Sequence, residues 1–253
     1  MQLTVLGSNA SSPSRTNAAS GYLVQWDGVS IWMDAGPGTF MRLAEVIDPG
    51  LLDAVVLSHS HVDHCADVVG LYGYLAYGPS GPTPVPVYAP EGSRELLAAF
   101  ARADDDHVFH QVLDFREVGP GDRVSIGTGE MTFGAAVHPV PAVGIRIDAD
   151  GGSLVYSGDT GPGGDLLSLA ADASTFLCEA TLDGARGPST YEFHMTAAEA
   201  GDIASWSGAG QLILTHIPSI RDIDLMIAEA AGSFQGQIEY AAPGSVFEIS
   251  TTG

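Results

Sequence analysis

The chain has 253 residues, 45% of them hydrophobic, enough for one sizeable core or two fused half-units, and no run approaches the roughly 20 apolar residues of a membrane span. Nine Lys+Arg stand against 31 Asp+Glu, a formal charge of -22, so the surface repels polyanions over about a Debye length, ~8 Å at physiological salt, which argues against a long nucleic acid as partner. A small anion stays compatible with this charge where a bound metal supplies local positive potential.

The start, MQLTVLGSNASSPSR, carries no basic segment, and its apolar stretch Leu3 to Leu6 is too short for a signal-peptide core, so a cytoplasmic location is expected. Cys65 and Cys178 can form at most one disulfide, and both read as reduced thiols.

In chain order, QLTVLG, GYLVQW and VSIWMDAG read as strands, the last two joined at Asp27-Gly28, a hairpin turn signal. Thr39 to Ile47 reads as a short helix closed by DPG, and LDAVVLS is a continuous apolar run of buried-strand length. Residues 64 to 77 look helical with a tyrosine-rich exit, PVPVYAP is extended, Glu91 to Arg102 is a further helix, and a loop follows. RVSIGTGEMTFGAAVHPV, GIRIDADGGSLVYSGD and TFLCEA then supply strands and turns, with helices at 163 to 171, 196 to 207 and 221 to 231 around QLILTH. The order of strands and helices recurs in the second half without a sequence repeat or a long linker. Residues 1 to 253 thus read as one α/β domain of two similar halves, sheets inside and helices outside.

The segment VVLSHSHVDHC, residues 55 to 65, spends three of eight histidines at the end of an apolar run. On an extended segment residues two apart point the same way, so His59 and His61 can share a metal, while a helix start turns Asp63 and His64 elsewhere. That arrangement suits two adjacent metals, and imidazole and carboxylate are ligands that zinc accepts. His138, Asp159 and His216 each end a predicted apolar run, where a polar group needs a partner, and a shared metal would satisfy all three.

HSHVDH has the H-x-H-x-D-H form of the metallo-β-lactamase superfamily, and HPVPAVGIRI, YSGDTGP, CEAT, HMTAAEAG and LTHI resemble its ribonuclease Z-like phosphodiesterase branch. The resemblance runs from LGSNASSPSR to LTHIPS, with six motifs in order. It implies an αββα sandwich with the metals at the open edge between the sheets. It also implies that His59, His61 and His138 bind one metal, that Asp63, His64 and His216 bind the other, and that Asp159 bridges both. Zinc is the expected ion, although the same ligands accept manganese or iron.

The resemblance further places His194 near the scissile phosphate, with Glu179 as its supporting partner, and Thr196 with Glu199 reads as a capping box just beyond. Two adjacent metals activate water and hold phosphoryl oxygens, so Asp63, as proton acceptor, and His194, as donor to the leaving group, would complete a phosphodiesterase. Ribonuclease Z proteins generally carry a tRNA-gripping arm between the positions of His138 and Asp159. Here only PVPAVGIRIDADGGSLVYSG intervenes. The compact form resembles small phosphodiesterases, some of which open 3′,5′-cyclic nucleotides to 5′-monophosphates. Precursor-tRNA 3′ processing ranks second, followed by hydrolysis of another ester or a lactone. Relatives in this branch are commonly dimers, so a homodimer is among the expected assemblies. Tyr72, Tyr74 and Tyr77 follow the metal loop and can stack on a base or pack in the core, the commoner fate. His107 and His110, in DDDHVFH, match no motif and read as a solvated acidic loop.

Overall fold

The computed structural model describes residues 1–78, 84–104, 107–184 and 191–250. The first half contributes β1 (Gln2–Gly7), β2 (Gly21–Trp26), β3 (Val29–Ala35), α1 (Thr39–Val46), β4 (Ala54–Val56), α2 (Val62–Cys65), α3 (Val68–Tyr77), β5 (Val85–Ala89), α4 (Ser93–Phe100), α5 (Phe109–Val112) and β6 (Leu113–Glu117). The second contributes β7 (Arg123–Ile126), β8 (Gly129–Ala135), β9 (Val143–Ala149), β10 (Gly152–Tyr156), α6 (Leu166–Leu169), β11 (Thr175–Glu179), α7 (Ala197–Ser207), β12 (Gln211–Thr215), α8 (Ile223–Ala230), β13 (Gln237–Tyr240) and β14 (Val246–Glu248). Two seven-stranded sheets result, ordered β14-β1-β2-β3-β4-β5-β6 and β13-β12-β11-β10-β9-β8-β7.

Period-two alternation explains the layering, because successive side chains on a strand face opposite sides. Tyr22, Val24, Ile31 and Met33 join Leu154, Tyr156, Leu177 and Ile213 in the core between the sheets. Their neighbours Leu23 and Trp32 face outward onto α1, α3 and α4, where Leu43, Leu71 and Leu97 are buried. On the other side Val155, Phe176, Leu212 and Leu214 meet Leu166, Ala200, Ala204 and Met226 of α6, α7 and α8. Strands apolar on both faces must be covered on both, and the outcome is an αββα sandwich.

Strands β3 to β6 run parallel, as do β10 to β13. Parallel strands place their carboxyl ends at one edge, the usual position for a ligand in such sheets. The two edges meet: Val143 N–H donates to the Ser58 carbonyl at 2.9 Å, and His59 forms a β-bridge with Ala142. Gly158, at φ +58°, leaves room for this approach, since a Cβ there would lie 2.9 Å from Ser58 Cβ.

Three expectations need correction. The segment after Arg102 is not a plain loop: it folds into α5 and β6, because Phe109 and Val112 are buried in the outer core of the first sheet. His107 and His110 are therefore half-buried; His107 Nδ1 accepts the Phe109 N–H at 3.2 Å, and the His110 ring lies edge-on to Phe109. Asp105 and Asp106, the acidic part of that reading, lie outside the described residues. The helix expected at 163 to 171 shortens to Leu166–Leu169, since Gly163 and Gly164 adopt positive φ. Tyr72 and Tyr74 pack, partly buried, against the outer core, with Tyr74 OH donating to Asp48 at 2.7 Å, while Tyr77 is exposed and its hydroxyl pairs with that of Tyr72 at 3.0 Å.

The capping box at α7 is formed in full: Thr196 Oγ1 accepts the Glu199 N–H at 3.2 Å, and Glu199 accepts the Thr196 N–H at 2.9 Å. Thr196→Ala should remove about 1 kcal/mol of stability, which lowers the midpoint of a thermal melt by about 2–4 °C in a chain of this size. Thr196→Ser should restore it, and an unchanged midpoint in the alanine variant would show that the cap contributes nothing.

Candidate metal centre

The site residues all follow strand ends. His59 comes after β4, His138 after β8, Asp159 after β10 and His216 after β12, while His61 is the N-cap residue of α2 and Asp63 and His64 lie in its first turn. Asp34 and His216 adopt left-handed backbone, at φ +53° and +50°, a conformation that costs about 1–3 kcal/mol and persists where its surroundings enforce it. Gly36 lets α2 press onto β3, since a Cβ there would lie 2.0 Å from the Asp63 carbonyl oxygen.

Two ligand sets emerge. In the first, His61 Nδ1 lies 3.1 Å from His59 Nε2 and 3.0 Å from His138 Nε2, and Asp159 Oδ2 lies 3.9 Å from His59 Nε2. In the second, His216 Nε2 lies 3.3 Å from both His64 Nε2 and Asp63 Oδ2, and Asp159 Oδ1 lies 3.2 Å from His64 Nε2. Ligands held at about 2.0–2.1 Å around a tetrahedral zinc stand about 3.3 Å apart, so most of these spacings are those of a formed cage. Asp159 is 3% exposed, and its Oδ1 has no hydrogen-bond donor even though imidazole nitrogens surround it. A buried carboxylate oxygen in that position fits a cation. The seven residues anticipated as ligands are thus gathered into two adjoining groups, His59, His61 and His138 in one and Asp63, His64, Asp159 and His216 in the other, with Asp159 Oδ2 facing His59 across 3.9 Å.

Each buried imidazole is also held from behind. His59 Nδ1 meets Ser58 Oγ at 3.0 Å, His64 Nδ1 meets Asp34 Oδ2 at 2.7 Å, and His216 Nδ1 meets Thr181 Oγ1 at 2.8 Å. Such contacts fix ring orientation and raise ligand basicity. Asp34 is fully buried and also accepts from the Ser58 amide and hydroxyl and from Tyr156 OH, at 2.7 to 2.8 Å. The sequence reading missed Asp34 and Thr181. Asp34 ends the apolar run VSIWM, the same signal that singled out His138 and Asp159, and Thr181 lies inside the CEAT motif.

His194 Nδ1 and Glu179 Oε1 lie 2.8 Å apart, and the His194 ring stacks on His216 at 5.6 Å and sits 5.7 Å from His138. Glu179 is fully buried and accepts in addition from the Thr160 amide at 2.8 Å and from the Thr181 hydroxyl at 2.8 Å. His194 is thereby anchored beside both ligand sets.

The lowered imidazoles and the carboxylates are in charge states that suit a cation, and His64 is the exception. Burial holds His59 well below the usual imidazole range and His138 at about 4, so both keep neutral nitrogens. Burial would raise Asp63 and Asp159, but hydrogen bonding or charge from His216 and His64 outweighs it, and both carboxyls are lowered. Burial opposes charge on His64 as well, yet Asp159 and Asp34 hold it well above the ordinary value. A metal entering the second set would displace that proton. Burial also works against His194, and the Glu179 contact overrides it to raise the imidazole.

Asp34→Asn should weaken the metal bound by Asp63, His64, His216 and Asp159 about 10- to 100-fold, as measured by chelator competition. Equal affinities in variant and wild type would remove Asp34 from the site.

Residues 30–217 match the β-lactamase superfamily domain. An uncharacterized protein of Mycobacterium leprae is 34% identical over 98% of this chain and 89% of its own length. The probable metallo-hydrolase YhfI of Bacillus subtilis is 30% identical over 98% of this chain and 100% of its own. Its crystal structure superposes with a TM-score of 0.87 over 97% of this chain and 98% of that one. A ribonuclease Z of Mycobacterium bovis is 27% identical over 94% of this chain and 95% of its own. The family match spans most of the length and includes every residue of both ligand sets, and the chain belongs to the β-lactamase superfamily, as a metallo-hydrolase.

Proposed function

We propose that the protein is a dinuclear metal-dependent phosphodiesterase that opens a small phosphodiester, a 3′,5′-cyclic nucleotide being the best match, to a monoester. The observation that supports this most is the pair of adjoining ligand groups with Asp159 between them, and the His194–Glu179 pair alongside. Two bound divalent ions, zinc in the first instance, would acidify a water and polarise a phosphoryl oxygen. His59, His61 and His138 would hold one and Asp63, His64 and His216 the other, with Asp159 available between them.

The chain's own residues do the rest. Asp63 is an anion at the partly exposed rim of the site, placed to take the proton of the attacking water. His194, its imidazole raised by the Glu179 contact against the opposing effect of burial, is placed to donate to the departing oxygen, so charge developing there is met in place. Glu179 orients the His194 ring and sustains its charge, a positioning role.

Substrate size follows from what surrounds the site. Between His138 and Asp159 the chain forms only β9 and β10, joined at Asp150-Gly151, with no insertion to grip a folded RNA. Of the eight described arginines, Arg42, Arg116, Arg123, Arg146 and Arg221 are engaged by Glu45, Asp114, Glu130, Asp148 and Asp183. Among the described residues this reduces the cations left to make the phosphate contacts that dominate affinity for long nucleic acids. No described helix is long and apolar enough to cross a membrane. Precursor-tRNA 3′ processing stands second, favoured by the full-length similarity to the mycobacterial ribonuclease Z.

Zinc- or manganese-loaded protein should convert 3′,5′-cyclic AMP to 5′-AMP, and Asp63→Ala should abolish that turnover; chromatography of the products decides. Cleavage of precursor tRNA with no action on the cyclic nucleotide would transfer the assignment to the second reading. His194→Ala should slow turnover about 10²- to 10⁴-fold while retaining both metals by elemental analysis. A lost metal in that variant would mean His194 is a ligand.

A further inference from the structure

We infer that Tyr191, seated on Phe193 and His194 at the mouth of the metal centre, is the platform on which the planar base of a nucleotide substrate stacks. The inference rests on the phosphodiesterase reading above and adds what recognises the non-reacting part of the substrate.

Among the described residues the exposed large aromatics are Tyr77, Phe100, Tyr191 and Trp206. Tyr77 pairs with Tyr72 on the helical layer. Tyr191 is the one whose described ring contacts reach the histidines of the centre. Its ring lies 5.5 Å from His194, tilted by 34°, and 5.3 Å from Phe193, nearly perpendicular to it. Phe193 in turn stands edge-on to His138 at 6.3 Å, and its carbonyl meets His138 Nδ1 at 3.4 Å. An aromatic lip thus runs from a ligand of the first set, through Phe193, to a tyrosine that is 53% exposed.

The position follows from local structure. Glu179 fixes His194, and the Met195 amide donates to the same carboxylate at 3.3 Å, so the chain just before α7 is pinned at the site. Gly161 admits this segment, since a Cβ there would fall 1.8 Å from the Glu192 carbonyl oxygen. The two aromatics flanking that carbonyl are consequently carried to the rim.

A cyclic nucleotide is rigid, and its base lies only a few bonds from phosphorus. With the phosphate between the ligand sets and His194, the group attached to it emerges beside the lip. A chain of net charge -22 offers a base little electrostatic attraction, whereas stacking on an aromatic face tolerates any base and grows with apolar area. Stacking of one base corresponds to about 5- to 150-fold in affinity.

The test measures binding and turnover separately. Calorimetry on zinc-loaded protein compares 5′-AMP with ribose 5-phosphate, which lacks the base. Wild type should bind AMP about 5- to 150-fold more tightly, Tyr191→Phe should keep most of that preference, and Tyr191→Ala should lose it while binding ribose 5-phosphate as before. In turnover, Tyr191→Ala should raise KM for cyclic AMP with little change in kcat. A preference for AMP that survives in Tyr191→Ala, equal weakening of both ligands, or no preference in wild type would overturn the platform. An AMP preference that depends on Tyr191 in a protein that hydrolyses no phosphodiester would uphold the platform and refute the phosphodiesterase reading. Hydrolysis of cyclic AMP indifferent to Tyr191 would do the reverse.

Discussion

A carboxylate cannot stay ionised in a dry interior unless positive charge or hydrogen-bond donors meet it, and at the junction of the two sheets Asp159 is such a carboxylate. It reaches that point from β10 in the second half, while four of the six histidine and aspartate groups around it come from the first half. The cost of burying it is offset only if both halves deliver their imidazoles. Alignment of the two sheets and assembly of the metal centre are therefore one event, and the Gly158 approach to Ser58 and the His59–Ala142 bridge are its backbone counterpart.

Around that carboxylate the polar groups form an ordered relay. Asp34 gathers Ser58, His64 and Tyr156, and Glu179 gathers Thr160, Thr181 and His194. Each is fully buried, and each ties groups from different strands to one site histidine. The left-handed backbone at Asp34 and His216 is tolerable because these contacts over-determine it. Contacts of this kind hold the ligand nitrogens in the orientation and spacing that a metal cage requires.

Much of this was legible in the residues themselves. Period-two apolar strands ending in single polar residues marked His138, Asp159 and His216, and the dense HSHVDH segment marked the rest. The αββα arrangement came from resemblance, because periodicity finds strands without saying which face which. Asp34 escaped notice although it ends an apolar run, since its neighbour in sequence, Ala35, carries no chemistry and its partners His64 and Tyr156 lie 30 and 122 residues away. Residues 109 to 117 were misread for the opposite reason. Their polar flanks suggested solvent, and only packing of Phe109 and Val112 under α3 draws them into the fold.

The strand order carries a consequence for biosynthesis. β14, close to the end of the described chain, pairs with β1, so Gln2 and Glu248 become neighbours across 246 positions of sequence. On a ribosome, everything else in the first sheet can emerge and pair while β1 still presents an open edge. Such an edge is a template for the strands of other nascent chains until β14 arrives. Among the described strands this is the pairing most distant in sequence, and until it closes the β1 edge stays open to misassembly.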